Sequence, residues 1–310
     1  MVVLVYMLSS TIGYSLLYRF VLPSADWSAF QGEWAFVSGS SYGIGAQFAE
    51  SLAKRGLNII LCARTEHKLL EIEKNIKNLY PHIQTKILLA DVLQDGWESV
   101  LDEVSHLNVS VIVNNVGGGN LDGTLKYYHE FSEEHHANIL KLNLFSVQKV
   151  LSKFLPKLIQ RHKGRIINIS SMAYLLGYKM SLYGPSKGFV NTWTEQLNTE
   201  YEDFGIQAEV LMLGEVSTPA IGNKPADGFM VARPSQVTEK ALDMFGYQIV
   251  YAPFWGHAFV HWACSTLLPH SVLRFSIRLI FASKIGEDLR MGHQVIQKIR
   301  QGEGKEKEQL

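Results

Sequence analysis

Six short apolar runs, separated by amphipathic stretches, set the limits on how this chain can fold. They fall at 34–37, 58–62, 85–89, 110–113, 165–169 and 207–213. Between them apolar residues recur at helical spacing. Ile44, Phe48 and Leu52 precede Gly56, and Leu69, Leu70, Ile72, Ile76 and Leu79 precede Pro81. Further helices are predicted over 93–107 and 135–159, and another carries Val190, Trp193, Leu197 and Tyr201. Strands that are apolar along their whole length are covered on both faces, and strands alternating with helices pair in parallel. The pattern predicts an α/β fold with a parallel sheet between two layers of helices.

The first run leads into Ser38-Gly39-Ser40-Ser41-Tyr42-Gly43-Ile44-Gly45, and a helix follows at once. Glycines there let backbone approach a ligand closely, and a helix N-terminus offers free N–H groups to phosphate. A glycine turn between a strand and a helix marks the Rossmann-like, doubly wound sheet and its dinucleotide crevice. The second run ends in Ala63-Arg64-Thr65. This strand end faces the adenosine ribose in such folds. An acidic residue there suits NAD, whereas Arg64 suits the 2′-phosphate of NADP. The third run is followed by Asp91. The fourth ends in Asn114-Asn115-Val116-Gly117, where asparagines can brace strand ends and glycine lets a cofactor pass.

The fifth run ends in Ser170 and Ser171, and Tyr183 and Lys187 follow, four residues apart. Residues at that spacing share a helix face, so both belong on or beside the first turn of the helix containing Val190. A phenol ionises near pH 10, and an ammonium beside it favours the phenolate. A serine hydroxyl at the strand end can hydrogen-bond a substrate oxygen. Tyr-x-x-x-Lys alone is common and decides nothing without the turn and strand ends before it.

Composition narrows the function. Charged residues are 19% of 310 and the formal net charge is zero, with no long basic block, so nucleic-acid binding has little support. Cys62 and Cys264 form neither a disulfide framework nor a metal-ligand spacing. Residues 1–18 carry no charged side chain, and apolar character continues past Arg19 to Leu22. That length fits a retained membrane anchor over 1–22 better than a cleaved leader, since no basic residue precedes it and no good cleavage site follows. The first basic residue lies after the run, which places the main domain in the cytosol.

The remaining organisation is a linker over 23–32, the dinucleotide-binding domain over 33–250, an apolar C-terminal region over 251–301 and a polar tail over 302–310. Residues 219–235, with Gly222, Pro225, Gly228 and Pro234, read as a mobile substrate lid. From Met244 to Leu273 there is no Asp, Glu, Lys or Arg. Prolines and histidines interrupt this stretch, favouring a last strand and an apolar substrate-cover or membrane-surface helix over a second span. His257, His261 and His270 have no carboxylate or cysteine partners at metal-binding spacing, so no metal site is expected.

Taken together, these motifs resemble the short-chain dehydrogenase/reductase family over roughly 33–220. The glycine turn matches with Ser38 where Thr is usual, Asn-Asn-Val-Gly matches the strand-end signature, and Asn143, the Ser pair, Tyr183 and Lys187 match the catalytic set. Within the family the chain is similar to the microsomal 17β-hydroxysteroid dehydrogenase and very-long-chain 3-oxoacyl-CoA reductase branch. The N-terminal apolar segment, Leu-Ala-Lys-Arg-Gly-Leu-Asn at 52–58, Arg64-Thr65 and Asn-Ile-Ser-Ser at 168–171 carry that likeness. The resemblance implies NADPH, an endoplasmic reticulum membrane location, a homodimer, and reduction of a ketone by hydride transfer. Tyr183 would give the proton, Lys187 would lower its pKa and bind the nicotinamide ribose, a serine would bind the carbonyl oxygen, and Asn143 would hold a water. Cofactor contacts would come from Gly39, Ser41, Tyr42, Gly43, Ile44, Gly45, Arg64, Asp91, Asn115, Gly117, Tyr183, Lys187, Val216 and Thr218.

Three departures bear on this. The interval from Ser171 to Tyr183 is one residue short of the family pattern. Strand register favours Ser171 as the catalytic serine, and counting back from Tyr183 gives Ser170. Pro185 falls in the first turn of its helix, where proline is tolerated. The usual Pro-Gly after the sixth strand is Leu213-Gly214, ahead of Glu215-Val216-Ser217-Thr218. The resemblance implies a large apolar ketone as substrate, either a 3-oxoacyl-CoA or a ketosteroid. Few basic residues near the lid (Lys224, Arg233, Lys240) tilt the reading toward a steroid or other lipid ketone. The alternative is a catalytically weak relative that binds or scaffolds at the membrane.

Overall fold

The computed structural model describes residues 23–119, 126–177 and 179–282. The expected anchor at 1–22 and the tail at 302–310 lie outside the described residues.

The chain opens with β1 (Trp34–Ser38), the glycine turn and α1 (Gly43–Lys54). Then come β2 (Asn58–Ala63), α2 (Glu66–Leu79) and β3 (Thr85–Leu89). The helix expected over 93–107 is instead a 3₁₀ segment, Trp97–Val104, that buries Trp97, Leu101 and Val104. β4 (Val109–Asn114) follows. The single helix expected over 135–159 is three pieces: α3 (Glu133–Leu140), a π-helical turn (Lys141–Phe145) and α4 (Ser146–Arg161). Next are β5 (Gly164–Ser171), the one-turn α5 (Ala173–Leu176), α6 (Tyr183–Tyr201) and β6 (Ile206–Leu213).

After β6 the segment read as a mobile lid is tied down. β7 (Glu215–Val216) pairs in parallel with β8 (Val231–Ala232), and α7 (Pro234–Met244) starts directly after. The glycines and prolines that suggested a loose loop shape the turns between these pieces. β9 (Val250–Tyr251) joins the sheet edge, followed by α8 (Trp255–Trp262), a π-helical turn (Ala263–Leu267) and α9 (His270–Ala282). This agrees with a last strand plus an apolar helix. Among the described residues no helix is long and apolar enough to cross a membrane.

Seven strands form one parallel sheet in the order β3-β2-β1-β4-β5-β6-β9. The order reverses between β1 and β4, which opens a crevice at the carboxyl ends of those strands. One core packs α1, α2 and α7 against one face, with Phe48, Leu52, Leu69 and Val237 buried in it. The other packs the 3₁₀ segment, α4 and α6 against the opposite face, around Phe36, Leu101, Phe154 and Leu197.

The stretch 23–32, read as a linker from its Pro, Ser, Asp and Gly content, folds onto the domain because its two aromatics have somewhere to go. Trp27 and Phe30 are buried in the first core, and Trp27 Nε1 donates to the Leu242 carbonyl over 3.0 Å. The Arg165 guanidinium, at the start of β5, lies 4.2 Å from the Trp27 ring, 4.6 Å from Phe30 and 4.8 Å from Phe245. It also donates to the Asp26 carbonyl over 2.8 Å. Burial in this cage lowers its pKa to about 10. Each such cation–π contact is worth about 0.5–2 kcal/mol.

Candidate active site

The site is built where the sheet order reverses, so each functional group arrives at a strand end or helix start. At the end of β1, Gly39 and Gly43 adopt φ of +65° and +61°, a left-handed conformation that side chains disfavour. A Cβ on Gly45 would lie 2.3 Å from the Gly39 carbonyl, so α1 starts in direct contact with the turn. A Cβ on Gly43 would lie 2.9 Å from the Thr218 methyl, which brings the segment after β7 over the turn. Val216, in β7, is buried behind it.

The floor of the crevice is stitched by side chains. Ser38 Oγ donates to the Val113 carbonyl over 3.3 Å and accepts from the N–H groups of Asn115 and Val116 at 3.0 and 3.2 Å. Asn115 Nδ2 donates to the carbonyls of Ser38 and Gly39, both over 3.1 Å. The amide of Asn115, expected to touch cofactor, is therefore engaged in holding β1 against β4. Asn114 Nδ2 donates to Asn168 Oδ1 over 2.8 Å, and Asn168 Nδ2 to Thr194 Oγ1 over 2.9 Å, which carries the brace on to α6.

Tyr183 and Lys187 occupy the first turn of α6, as their spacing predicts. Lys187 is 4% exposed, and its Nζ donates to the Ile169 carbonyl over 2.8 Å. It lies 5.8 Å from the Tyr183 ring centroid. Ser171, the last residue of β5, hydrogen-bonds the Tyr183 phenol and accepts from the Ala173 N–H over 3.1 Å. Ser170 Oγ instead donates to the Lys187 carbonyl over 3.1 Å and is buried. Strand register sends Ser171 toward the tyrosine.

Burial raises the Tyr183 pKa above its ordinary 10.0, and the Ser171 hydrogen bond only partly opposes it. Burial lowers Lys187 from 10.5 to about 8. Removal from water, which disfavours the charged form of each group, is the dominant cause of both shifts.

Asn143 sits in the π-helical turn and is fully buried. Its Nδ2 donates to the carbonyls of Ile139 and Gly118 at 3.0 and 2.9 Å, and its Oδ1 accepts from the Gly118 N–H at 3.1 Å. The widened turn frees the Ile139 carbonyl for the side chain, a use of π-bulges common at functional sites. A Cβ on Gly117 would lie 2.8 Å from Lys187 Nζ and 2.9 Å from Asn143 Oδ1. Lys187 and Asn143 therefore converge on one glycine, which leaves a cradle that any side chain would fill.

Around the crevice, Ser41 and Ile44 lie on the turn and at the α1 start, and Ile44 packs on the core. Asp91 Oδ1 accepts from the Leu93 N–H over 3.1 Å, which shapes the bend after β3. Arg64 is exposed directly after β2. Lys68, one helical turn further, has its Nζ 5.6 Å from the Tyr42 ring centroid on the glycine turn. Sequence reasoning passed over Lys68, although its spacing of four from Arg64 was the available signal. It also passed over Tyr174, and weighed His257 and His261 only as metal ligands. Gly214 N–H donates to His257 Nδ1 over 3.2 Å, and Tyr174 Oη shares a 2.7 Å hydrogen bond with His261 Nε2.

A doubly wound sheet with a glycine turn at its switch point, and Ser, Tyr and Lys gathered beside it, defines a nucleotide-dependent oxidoreductase fold. The family model described as short chain dehydrogenase matches residues 33–227, and the chain belongs to that family of oxidoreductases. The very-long-chain 3-oxoacyl-CoA reductase of Aspergillus terreus is 30% identical over 263 residues, covering 81% of this chain and 74% of the relative. A very-long-chain 3-oxoacyl-CoA reductase-like protein of Arabidopsis thaliana is also 30% identical, covering 80% and 82%. A 7β-hydroxysteroid dehydrogenase structure superposes with a TM-score of 0.73 at 21% identity, covering 81% of this chain and 99% of that one. A Sphingobium yanoikuyae short-chain dehydrogenase solved with NADPH gives 0.64 at 22% identity, covering 71% and 87%. These likenesses support the fold and the branch to which the motifs pointed.

Proposed function

We propose that this protein is an NADPH-dependent reductase of a ketone on a long apolar substrate, and that a 3-oxoacyl-CoA fits it better than a steroid. The observation that carries the reading is the convergence of Ser171, Tyr183 and Lys187 beside the Gly117 cradle. The glycine turn, the bare Gly117 and the free N–H groups at the α1 start suit a dinucleotide. Arg64 and Lys68 suit a 2′-phosphate. When bound, the nicotinamide supplies the hydride for the ketone carbon.

The chain's own residues handle the oxygen. Ser171 would donate a hydrogen bond to the ketone oxygen. Tyr183, kept protonated by burial, would give its proton to that oxygen as charge develops on it. Lys187 would stabilise the phenolate left behind and bind the nicotinamide ribose. Asn143 Oδ1 keeps a lone pair for a water. The shift from steroid to thioester rests on two points. The relatives at 30% identity carry the 3-oxoacyl-CoA reductase name. Lys126 and Lys179 also stand on the segments that follow Gly119 and Ser171, with Lys179 4.2 Å from the Tyr127 ring. These add positive charge that counting only near the lid had missed.

Residues 1–22 would anchor the chain in the endoplasmic reticulum membrane. Trp255, Phe259, Leu267, Phe275 and Leu279 on the α8–α9 segment are exposed, Phe275 to 62%, and would lie against lipid. Exposed Phe145 and Phe189, on the π-helical turn and α6, would meet a second copy.

NADPH oxidation by the detergent-solubilised full chain tests the reading, using a long-chain 3-oxoacyl-CoA, an apolar ketosteroid and no substrate, with NADH in parallel. The expected result is turnover of the thioester with NADPH preferred. Turnover of the steroid alone would overturn the substrate assignment. No turnover with NADPH binding intact would favour the scaffold reading.

A further inference from the structure

The α8 helix has no part in the catalytic set, yet its two histidines are buried at 2% and 8% exposure. His257 and His261 are one helical turn apart and share a face. Each reaches a different segment beside the site. The Gly214 N–H donates to His257 Nδ1 over 3.2 Å, and His257 Nε2 lies 3.1 Å from the Met230 carbonyl. Because Nδ1 accepts, the ring is neutral and Nε2 carries the proton that it donates to Met230. One imidazole thus joins the exit of β6, which leads to Val216 and Thr218, to the segment entering β8. His261 holds Tyr174, on the one-turn helix two residues after Met172, through the 2.7 Å bond to Tyr174 Oη.

The fit is close on both sides. A Cβ on Gly214 would lie 2.7 Å from the His257 ring, and one on Gly256 would lie 1.8 Å from the Phe229 carbonyl. Phe229 in turn stands 5.0 Å from Trp255 and 5.9 Å from Phe259, ring to ring.

We infer that α8 is a clasp: His257 and His261 are positioning residues that fix, from one helix face, the two walls of the substrate cleft. One wall is the Ser171–α5 segment, and the other is the β6 exit with the β7–β8 ladder. The inference rests on the proposed reductase reading for the identity of the cleft, but the hydrogen bonds it describes do not depend on turnover.

Amide hydrogen exchange of the full chain with NADPH tests it on peptides covering 171–177 and 210–232. His257→Leu should speed exchange at 214–231 about tenfold, since one lost hydrogen bond is worth roughly that factor. His257→Asn keeps an acceptor near the Nδ1 position and should restore most of the protection. His261→Phe and Tyr174→Phe should each speed exchange at 171–177, and the double variant should add little, as expected for two halves of one contact. In turnover, His257→Leu and His261→Phe should each raise KM for the ketone about three- to tenfold with kcat within about twofold.

Unchanged exchange in both peptides would overturn the clasp. So would uniformly faster exchange that also reaches β1 to β4, which would make the histidines folding residues only. A wild type silent on every ketone, with the exchange changes as described, would support the clasp and remove the reductase reading. Normal turnover with unchanged exchange would do the reverse.

Discussion

At Tyr183 and Lys187 the burial that assembles the site also sets its acid–base behaviour. The phenol holds its proton beyond an ordinary 10.0. Ketone reduction should therefore stay level as pH rises through neutrality, while alcohol oxidation, which needs the phenolate, climbs with pH. Rate profiles in the two directions check this. Tyr183→Phe should lower the rate by a factor of about 10²–10⁴ with NADPH affinity kept, measured by NADPH oxidation and fluorescence. Lys187 predicts a stability effect of opposite character. Its folded pKa of about 8 lies below the ordinary 10.5, so the unfolded chain binds more protons between those values and stability rises with pH across them. The cost is fully present below about 8, up to ~3 kcal/mol. Lys187→Met should be inactive yet melt higher than wild type at neutral pH, with the gap closing toward pH 10. Much of this was legible beforehand, because Ser171, Tyr183, Lys187 and Gly117 are fixed by strand ends and helix spacing. The direction of the Tyr183 shift was not, since it depends on how much water the assembled walls exclude. Lys68 was also missed, because its relevance comes from α2 lying beside the glycine turn.

The elements that position the site were read well where one period dominates and poorly where a side chain rewrites the backbone. The central strands and α1 and α2 follow from apolar runs and helical spacing alone. The continuous apolar period across 135–159 concealed the π-helical turn, because a single inserted residue barely disturbs it. That turn lets Asn143 grip both Ile139 and Gly118. The segment 219–235 looked mobile because glycine and proline mark turns without revealing the β7–β8 ladder or the His257 bond that close them. The cradle at Gly117 belongs to this scale, since it joins β4, the π-helical turn and α6. Gly117→Ala should push against Lys187 Nζ and Asn143 Oδ1, weakening NADPH binding at least tenfold while shifting Tm by a few degrees at most. Equilibrium fluorescence titration and thermal melting separate the two effects. A variant that binds NADPH normally would show that neither side chain is held tightly.

Across the whole molecule, the decisive unforeseen feature is the docking of 23–31 on the underside of the sheet. Polar and turn-forming residues in that stretch masked Trp27 and Phe30, whose burial is a long-range property. Trp27→Ala should cost about 3–5 kcal/mol in denaturant melts, within the range for a buried tryptophan, and open 23–31 to protease while the crevice keeps its geometry. Tyr247 Oη donates to the Pro23 carbonyl and the Ala25 N–H to the Asp243 carbonyl, both over 2.8 Å. The 23–31 segment is therefore pinned at the end of the sheet where the strands begin, beside Arg165 at the start of β5. The crevice and α8 lie where they finish, and β6 alone spans eight residues, about 26 Å at strand rise. The two ends of the strands are thus insulated from each other. A change at Trp27 can reach the site only along the full length of the sheet, so the margin at 23–31 can loosen while the crevice keeps its shape.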